Sequence, residues 1–419
     1  MRVLVFHNQY NQAGGEDTAV DEESRMLRQH GIDVLVDKTL NPPVQPFPLY
    51  KQLDTAYNAT WSRESYRRVF ELCIGYRPDV AHVHNFWLAL SPSVHKACHD
   101  AGVPTVQTLH NYRLLCLNAL MLREGRTCQD CLNKVPWRGV LRRCYRGSIG
   151  ASAAVAGMVT FHRIRNTWFR DVDAFVTPSN YARSRLVLGK VPADRITVKP
   201  NVVADRIQST MRPSLFHTVV YVGRLSTEKG LQVLLSAWAK AVPRPTERLL
   251  IVGDGPDSAG LRSFAEISGL HPPSVVFAGS KPHDEVRTLV SQSRFLVLPS
   301  LCAETFGYAV VEAFGEGRPA VVSDCGALAD IVENGRTGYK VRPADASQLA
   351  KCISTLLNND TLVDQLGEEA RAKYLLDYST EQNYRVLIEI YRSAMKRYNR
   401  VVTSESGISA VIPECVRQV

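Results

Sequence analysis

The chain has 419 residues, of which 45% are hydrophobic and 22% charged, with a formal net charge of +9. That length exceeds one ordinary core and favours two domains, and the composition is that of a soluble globular protein. The longest run of apolar and small residues, "ASAAVAGMV", falls well short of the roughly 20 needed to cross a bilayer, which excludes a membrane-spanning reading.

The first segment, "MRVLVFHNQY", carries no charged lead-in and no small-residue cleavage site, so it reads as a strand and not a signal peptide. A cytosolic chain is therefore expected, in which the ten cysteines are free thiols or metal ligands rather than disulfides. Short β-rich runs then alternate with helical patterns. "RVLVFH" is followed by a helix from about Asp17 to His30, "DVLVD", a helix around Arg63 to Cys73, "DVAHVH", a helix near Val94 to Ala101, and "PTVQTLH". This alternation argues for a parallel sheet with helices on both faces.

After "ITVKPNVV" and an aperiodic polar stretch from Asp205 to Phe216 the pattern restarts. "TVVYVGR", a helix from Lys229, "RLLIVGDG", a helix from Asp257, "SVVFAG", a helix near Asp284, "FLVLPS", a helix carrying Glu312, and "PAVVSD" follow in turn. The chain is helical from about Ala346, with Ser379 and Glu381 marking the start of a last helix. Two doubly wound α/β domains are expected, 1–204 and 205–400, with 401–419 a loose tail. In such sheets ligands bind outside the carboxyl ends of the strands, so two facing domains enclose a cleft.

Polar groups gather at those strand ends. Arg224 directly follows "TVVYV" and Lys229 precedes a helix, a combination that suits an anion, although a paired Arg224 and a solvated Lys229 fit the same spacing. Gly14 and Gly15 follow the first strand, where a backbone can approach a phosphate or simply turn tightly. Neither a G-x-G-x-x-G fingerprint nor a P-loop motif is present. Glu304 ends the "FLVLPS" segment before a helix expected from Thr305 or Phe306, and Glu312 lies about 12 Å further along it at ~1.5 Å per residue. That spacing suits two hydroxyl-bearing parts of one extended ligand and exceeds the ~5 to 9.5 Å of a glycosidase carboxylate pair. A nucleotide sugar satisfies all these groups.

Together "VGRLSTEKG", "IVGDGP", "FAGS", "FLVLPSLCAETFGYAVVEAFGEGRPAVVSD" and the early "GGE" resemble the retaining glycosyltransferases of family 4, over nearly the whole chain to about Arg400. The resemblance implies the GT-B fold, two Rossmann-like domains facing across a cleft. It implies that Arg224 and Lys229 hold the donor diphosphate, with Gly14, Gly15 and Gly253 beside the donor. Glu304, with the backbone of Phe306 and Gly307, would hold the donor sugar, Glu312 the nucleotide ribose, and His110 would match the family's active-site histidine. The implied reaction is transfer of a sugar with retention from a UDP- or GDP-sugar to a glycan or lipid-linked acceptor, in surface polysaccharide or glycolipid synthesis, by front-face attack. No metal is required if Arg224 and Lys229 supply the positive charge. Two departures stand out: "KPNVVADRI" replaces a frequent Pro-Asn-Gly, and "CGALADIV" lacks the usual Gly-Gly and sets Asp330 where a glutamate is common. An epimerase on the same fold, or a carbohydrate-binding scaffold without turnover, are the competing readings; the E-x7-E and R-x4-K spacings argue against both.

Two further features lie in one segment. From Cys131 to Arg170 there is no Asp or Glu, while Lys134, Arg138, Arg142, Arg143, Arg146, Arg163, Arg165 and Arg170 are interleaved with Trp137, Tyr145, Phe161, Trp168 and Phe169. The mixture suits a peripheral contact with anionic lipid on the inner face of the membrane, or an ordinary solvated face. It is joined to no nucleic-acid module. Overlapping it, Cys116, Cys128, Cys131 and Cys144 surround a C-x2-C, which fits either a structural zinc or four reduced thiols. Core packing accounts for Cys302 and Cys325.

Overall fold

The computed structural model describes residues 1–9, 14–41, 48–205, 207, 211–241 and 243–406. Its first domain carries β1 (Arg2–Gln9), β2 (Asp33–Leu40), β3 (Val80–Asn85), β4 (Thr105–Thr108), a small antiparallel hairpin β5 (Leu122–Arg123) and β6 (Arg126–Thr127), then β7 (Ala174–Thr177) and β8 (Ile196–Val198). The main sheet is wholly parallel, in the order β2-β1-β3-β4-β7-β8. The second domain repeats the plan with β9 (Thr218–Val222), β10 (Arg248–Val252), β11 (Val275–Gly279), β12 (Phe295–Leu298), β13 (Ala320–Ser323) and β14 (Gly338–Val341). Its order, β11-β10-β9-β12-β13-β14, is also parallel throughout. Both sheets are doubly wound, as expected for the GT-B arrangement.

Apolar runs explain this choice, because a parallel strand is covered on both faces. In β1 residues 3–8 are all buried. Alternate side chains part to opposite layers: Leu4 and Phe6 join one core, Val3 and Val5 the other.

That second core brings a correction. From sequence, everything to residue 400 belongs with the second domain. The last helix, Thr380–Ser406, instead packs on the first sheet, its Leu387, Tyr391 and Ala394 buried against Val3, Val5 and Val106. Each fully buried side chain of Leu size contributes about 1.5–3 kcal/mol, enough to hold the helix against the sheet it meets. The helix also runs through Ser406, into the segment expected to be loose, and the rest of that expected tail lies outside the described residues.

Two local starts differ as well. Lys229 lies in a 3-10 turn, Thr227–Lys229, and the helix itself begins at Leu231 after Gly230 (φ +70), where a Cβ would stand 2.1 Å from the Pro299 carbonyl oxygen. The Glu312 helix spans Tyr308–Gly315, so Glu304 precedes it by a loop and the helical rise does not measure their separation.

Candidate functional site

The carboxyl ends of β4, β9, β10, β11 and β12 deliver the candidate residues. After β9, Arg224 is exposed and forms no ion pair among the described residues. Lys229 is committed: its Nζ lies 2.7 Å from Glu304 Oε1, to which Ser300 Oγ also donates at 2.5 Å. Burial works against the ammonium, but Glu304 outweighs it and holds the Lys229 pKa above its ordinary value. The solvated-lysine reading is thereby corrected, and the half-buried Glu304 carboxylate has a charged partner.

Backbone packing fixes the Glu304 loop. Gly326 (φ +61) brings its α-carbon so close that a Cβ would stand 2.6 Å from the Glu304 nitrogen, and the Ala327 amide donates to the Glu304 carbonyl at 2.9 Å. Phe306 is buried, and Gly307 caps the Tyr308–Gly315 helix without a side-chain hydrogen bond. A Cβ on Gly307 would meet Leu328 Cδ2 at 2.6 Å, which explains the glycine by packing. Gly253 has a similar cause: at φ +132 its Cβ would stand 2.0 Å from the Gly223 carbonyl oxygen.

Glu312 is buried on its helix and accepts from His283 Nε2 at 2.6 Å. That hydrogen bond outweighs partial burial and raises the His283 pKa. His283 opens the helix after β11, and nothing in its local sequence announces the pairing.

In the first domain His110 follows β4, buried, with Nε2 3.0 Å from His84 Nδ1. Burial, together with the neighbouring imidazole of His84, holds its pKa well below the ordinary value, so the ring is neutral. Burial, with His82 beside it, pushes His84 down to about 3. Behind them Glu23 Oε1 lies 3.1 Å from His82 Nδ1 and 3.2 Å from His84 Nε2, while Glu23 Oε2 meets Lys199 Nζ at 2.8 Å. Burial alone would raise the Glu23 pKa; Lys199 and the two histidines drive it well below the carboxylate range. Glu23, His82 and His84 are the one group among the described residues whose ligating atoms lie within 4.8 Å of one another, but Lys199 already supplies the positive charge there. The last helix completes the layer, with Tyr391 OH 2.8 Å from His82 Nδ1 and Asn383 Oδ1 accepting from Lys199 at 3.0 Å. The sequence signal was available in "AHVHN": histidines two apart in a buried strand face one side.

Contacts across the cleft join the two sets. Thr305 Oγ1 donates to the His110 carbonyl at 2.6 Å, and Tyr308 OH to the Val202 carbonyl at 3.0 Å. Gly15 faces the Tyr308 ring, which a Cβ would meet at 3.4 Å, while Gly14 caps the Gly15–Gln29 helix with nothing within 4 Å of its own Cβ position. Asp330 Oδ2 accepts from the Tyr181 amide at 2.8 Å, so the unusual aspartate takes part in domain contact. Next to His110, Asn111 Nδ2 donates to Glu16 Oε1 at 2.9 Å, and Glu16 Oε2 is buried without a hydrogen-bond partner among the described residues. Burial raises the Glu16 pKa. Glu16, Glu23, His84, His283, Ser300, Thr305 and Tyr308 are thus additions to the residues expected from sequence.

The four cysteines line a single cavity beside this wall of the cleft. The basic segment divides: Trp168 is core and Arg163 donates to the Lys134 and Leu114 carbonyls, whereas Trp137, Leu141, Ile149, Ile164 and Phe169 are exposed. No helix among the described residues is long and apolar enough to cross a membrane.

Comparison with known proteins agrees with this architecture. Residues 14–202 match the glycosyl transferase 4-like domain, and residues 216–359 match the glycosyl transferases group 1 domain. Over 204 residues the chain is 34% identical to an exopolysaccharide phosphotransferase of Streptomyces coelicolor, covering 48% of this chain and 21% of that protein. Over 179 residues it is 31% identical to the alpha-D-kanosaminyltransferase of Streptomyces kanamyceticus, covering 42% of this chain and 45% of that one. The chain thus spans less than half the length of either relative. Among solved structures, Anabaena HepE in complex with UDP superposes with a TM-score of 0.67 at 18% identity, covering 94% of this chain and all of the other.

Proposed function

This chain belongs to the group 1 glycosyltransferases, and from that premise we propose that it moves a sugar, with retention, from a nucleotide-sugar donor to a saccharide or lipid-linked acceptor. The observation that carries the reading is the meeting of unlike groups at the mouths of both sheets. An unpaired Arg224 and the Lys229–Glu304 pair stand on one side, neutral His110 on the other, and Thr305 bridges them.

Each group has a chemical task in this reading. Arg224 and Lys229 neutralise the charge that builds on the departing diphosphate, the kind of fixed stabilisation that lowers a barrier most. Glu304 accepts from the sugar hydroxyls and Glu312 from the ribose, with His283 holding the second carboxylate in place. Glu304 is already bound by Lys229 and Ser300, which leaves it a poor covalent nucleophile and favours attack on the same face that the diphosphate leaves. His110 offers a neutral imidazole to the transferred sugar. UDP is the first nucleotide to try, because HepE is known in complex with UDP. The exposed Trp137, Leu141 and Ile164 among basic residues support a lipid-linked acceptor approached at an anionic bilayer surface.

Calorimetric titration with UDP, GDP, ADP and their sugar conjugates tests the donor side. One nucleotide should bind selectively and more weakly to Arg224→Ala. Absence of binding to every member, alone and with acceptor glycolipid, would overturn the proposal. Proton NMR of the first product then reads the anomeric configuration.

A further inference from the structure

The segment after His110 is poorly equipped to hold its own shape. Between Tyr112 and Ser148 it contains two strands of two residues each and one helix of five, Trp137–Leu141. Leu115, Leu117 and Met121 anchor its base in the domain core, but Val135, Trp137 and Leu141 are exposed. So small a unit normally needs a covalent or metal staple.

Its cysteines come from four separate turns. Cys116 ends the turn that Tyr112 begins, Cys128 follows the β5–β6 hairpin, Cys131 lies in the next turn, and Cys144 closes the short helix with its amide on the Gly139 carbonyl at 2.9 Å. All four line one cavity, each half-buried and free. Gly139 is the residue that lets the helix approach, since its Cβ would stand 2.7 Å from Leu117 Cδ1 and 3.3 Å from Cys131 Sγ. The Cys116 thiol donates to Asn118 Oδ1 at 3.0 Å, which turns its sulfur within the segment.

We propose that Cys116, Cys128, Cys131 and Cys144 form a structural tetrathiolate zinc site that ties this segment to the wall of the cleft beside His110. Binding converts the four thiols to thiolates, releases four protons to solvent and leaves Zn²⁺ with a closed tetrahedral shell. No three of the sulfurs lie within 4.8 Å of one another among the described residues. A tetrahedral site with Zn–S near 2.3 Å needs about 3.8 Å between sulfurs, so metal entry draws the cavity walls inward.

Full-length protein purified without chelators, then analysed by plasma mass spectrometry, should carry about one zinc per chain. Mercurial titration in the presence of a chromogenic chelator should release that zinc as the four thiols are modified. Cys128→Ser with Cys131→Ser should abolish retention, while Cys352→Ser, distant from the cavity, should keep it. If the double variant fails to fold, the wild-type metal content and the Cys352→Ser comparison still decide. Zinc below a tenth per chain after incubation with zinc, iron with acid-labile sulfide, or a mass four hydrogens short through two disulfides would each overturn the proposal. None of these readouts depends on sugar transfer.

Discussion

Thr305 donates its hydroxyl to the main-chain carbonyl of His110 at 2.6 Å, tying the loop that carries Glu304 to the strand end that carries the cleft histidine. The two residues are 195 positions apart, so this bond exists only when the domains face each other. A side-chain hydrogen bond of this kind contributes about 0.5–1.5 kcal/mol. Thr305→Val keeps the shape and removes the donor, and kcat/KM should fall about 2- to 13-fold, the size that energy range implies. Steady-state kinetics at varied donor concentration checks it; an unchanged value would mean that the bond contributes nothing to the competent state.

The donor side should separate charge from shape. Arg224→Ala removes an exposed, unpaired cation, so the fold should survive while nucleoside diphosphate affinity drops by roughly 10- to 100-fold, the loss of a charge-assisted hydrogen bond. A nucleoside without phosphate should bind both proteins alike. Glu312→Gln should weaken the nucleoside itself, because its carboxylate, held by His283 at 2.6 Å, is assigned to the ribose. Calorimetry with diphosphate and nucleoside on both variants distinguishes these roles, and equal losses for both ligands in Arg224→Ala would refute the assignment.

What could be read from sequence followed the range of the interactions. Strands buried on both faces declare themselves as short apolar runs, and the residues just past them fall at the ligand end of a parallel sheet, so Arg224, Lys229, Glu304 and His110 were accessible. Partners were not. His283 reaches Glu312 from a helix 29 residues upstream, and Glu23 meets His84 from a different element. The last helix shows an apolar face without saying which sheet it covers, which is why sequence alone groups residues 205–400 in one domain while Tyr391 packs on the first sheet. β7 is a four-residue strand, "AFVT", too short for its alternation to register, and the Ile149–Ile164 helix is so rich in small residues that its polar face is blurred.

Buried neutral histidines should make the fold acid-labile. Burial pushes His84 down to about 3 and His162 to about 4, and depresses His95 and His110 as well. Unfolded histidine takes a proton near pH 6.5, so below that value the unfolded chain binds more protons than the folded one and stability falls as pH falls. Glu23, held low by Lys199 and the histidines against burial, adds a loss in the same direction below the ordinary carboxylate range. Asp173, raised to about 6 by burial, opposes it between about pH 6 and 4, whereas His30 and His283, raised by their partners, add stability only above about pH 6.5, as pH falls through their raised folded values. The depressed histidines outweigh these. Urea midpoints should be flat from pH 8 to about 7 and decline steadily to pH 4.5; a midpoint that rises on acidification would contradict this balance.

The chain His110–His84–Glu23 should set which imidazole nitrogen faces the cleft. Glu23 Oε1 lies 3.2 Å from His84 Nε2 without hydrogen-bond geometry, so it is the charge of the carboxylate that favours the proton on that nitrogen; His84 Nδ1 then accepts from His110 Nε2–H at 3.0 Å, and His110 is left with a bare Nδ1. Glu23→Gln preserves the volume but removes the charge that selects this arrangement and unpairs Lys199, 2.8 Å away. A second variant, Glu23→Gln with Lys199→Met, restores neutrality without restoring the tautomer. Both should retain donor KM and lose kcat by about 10- to 100-fold, within the range of a misplaced general acid–base or polar group. Nitrogen NMR of the histidine rings gives the direct readout: Nδ1 of His110 should resonate as an unprotonated nitrogen in the wild type and as a mixture in both variants. A wild-type spectrum with the proton already on His110 Nδ1 would reverse the assignment, whatever the kinetics.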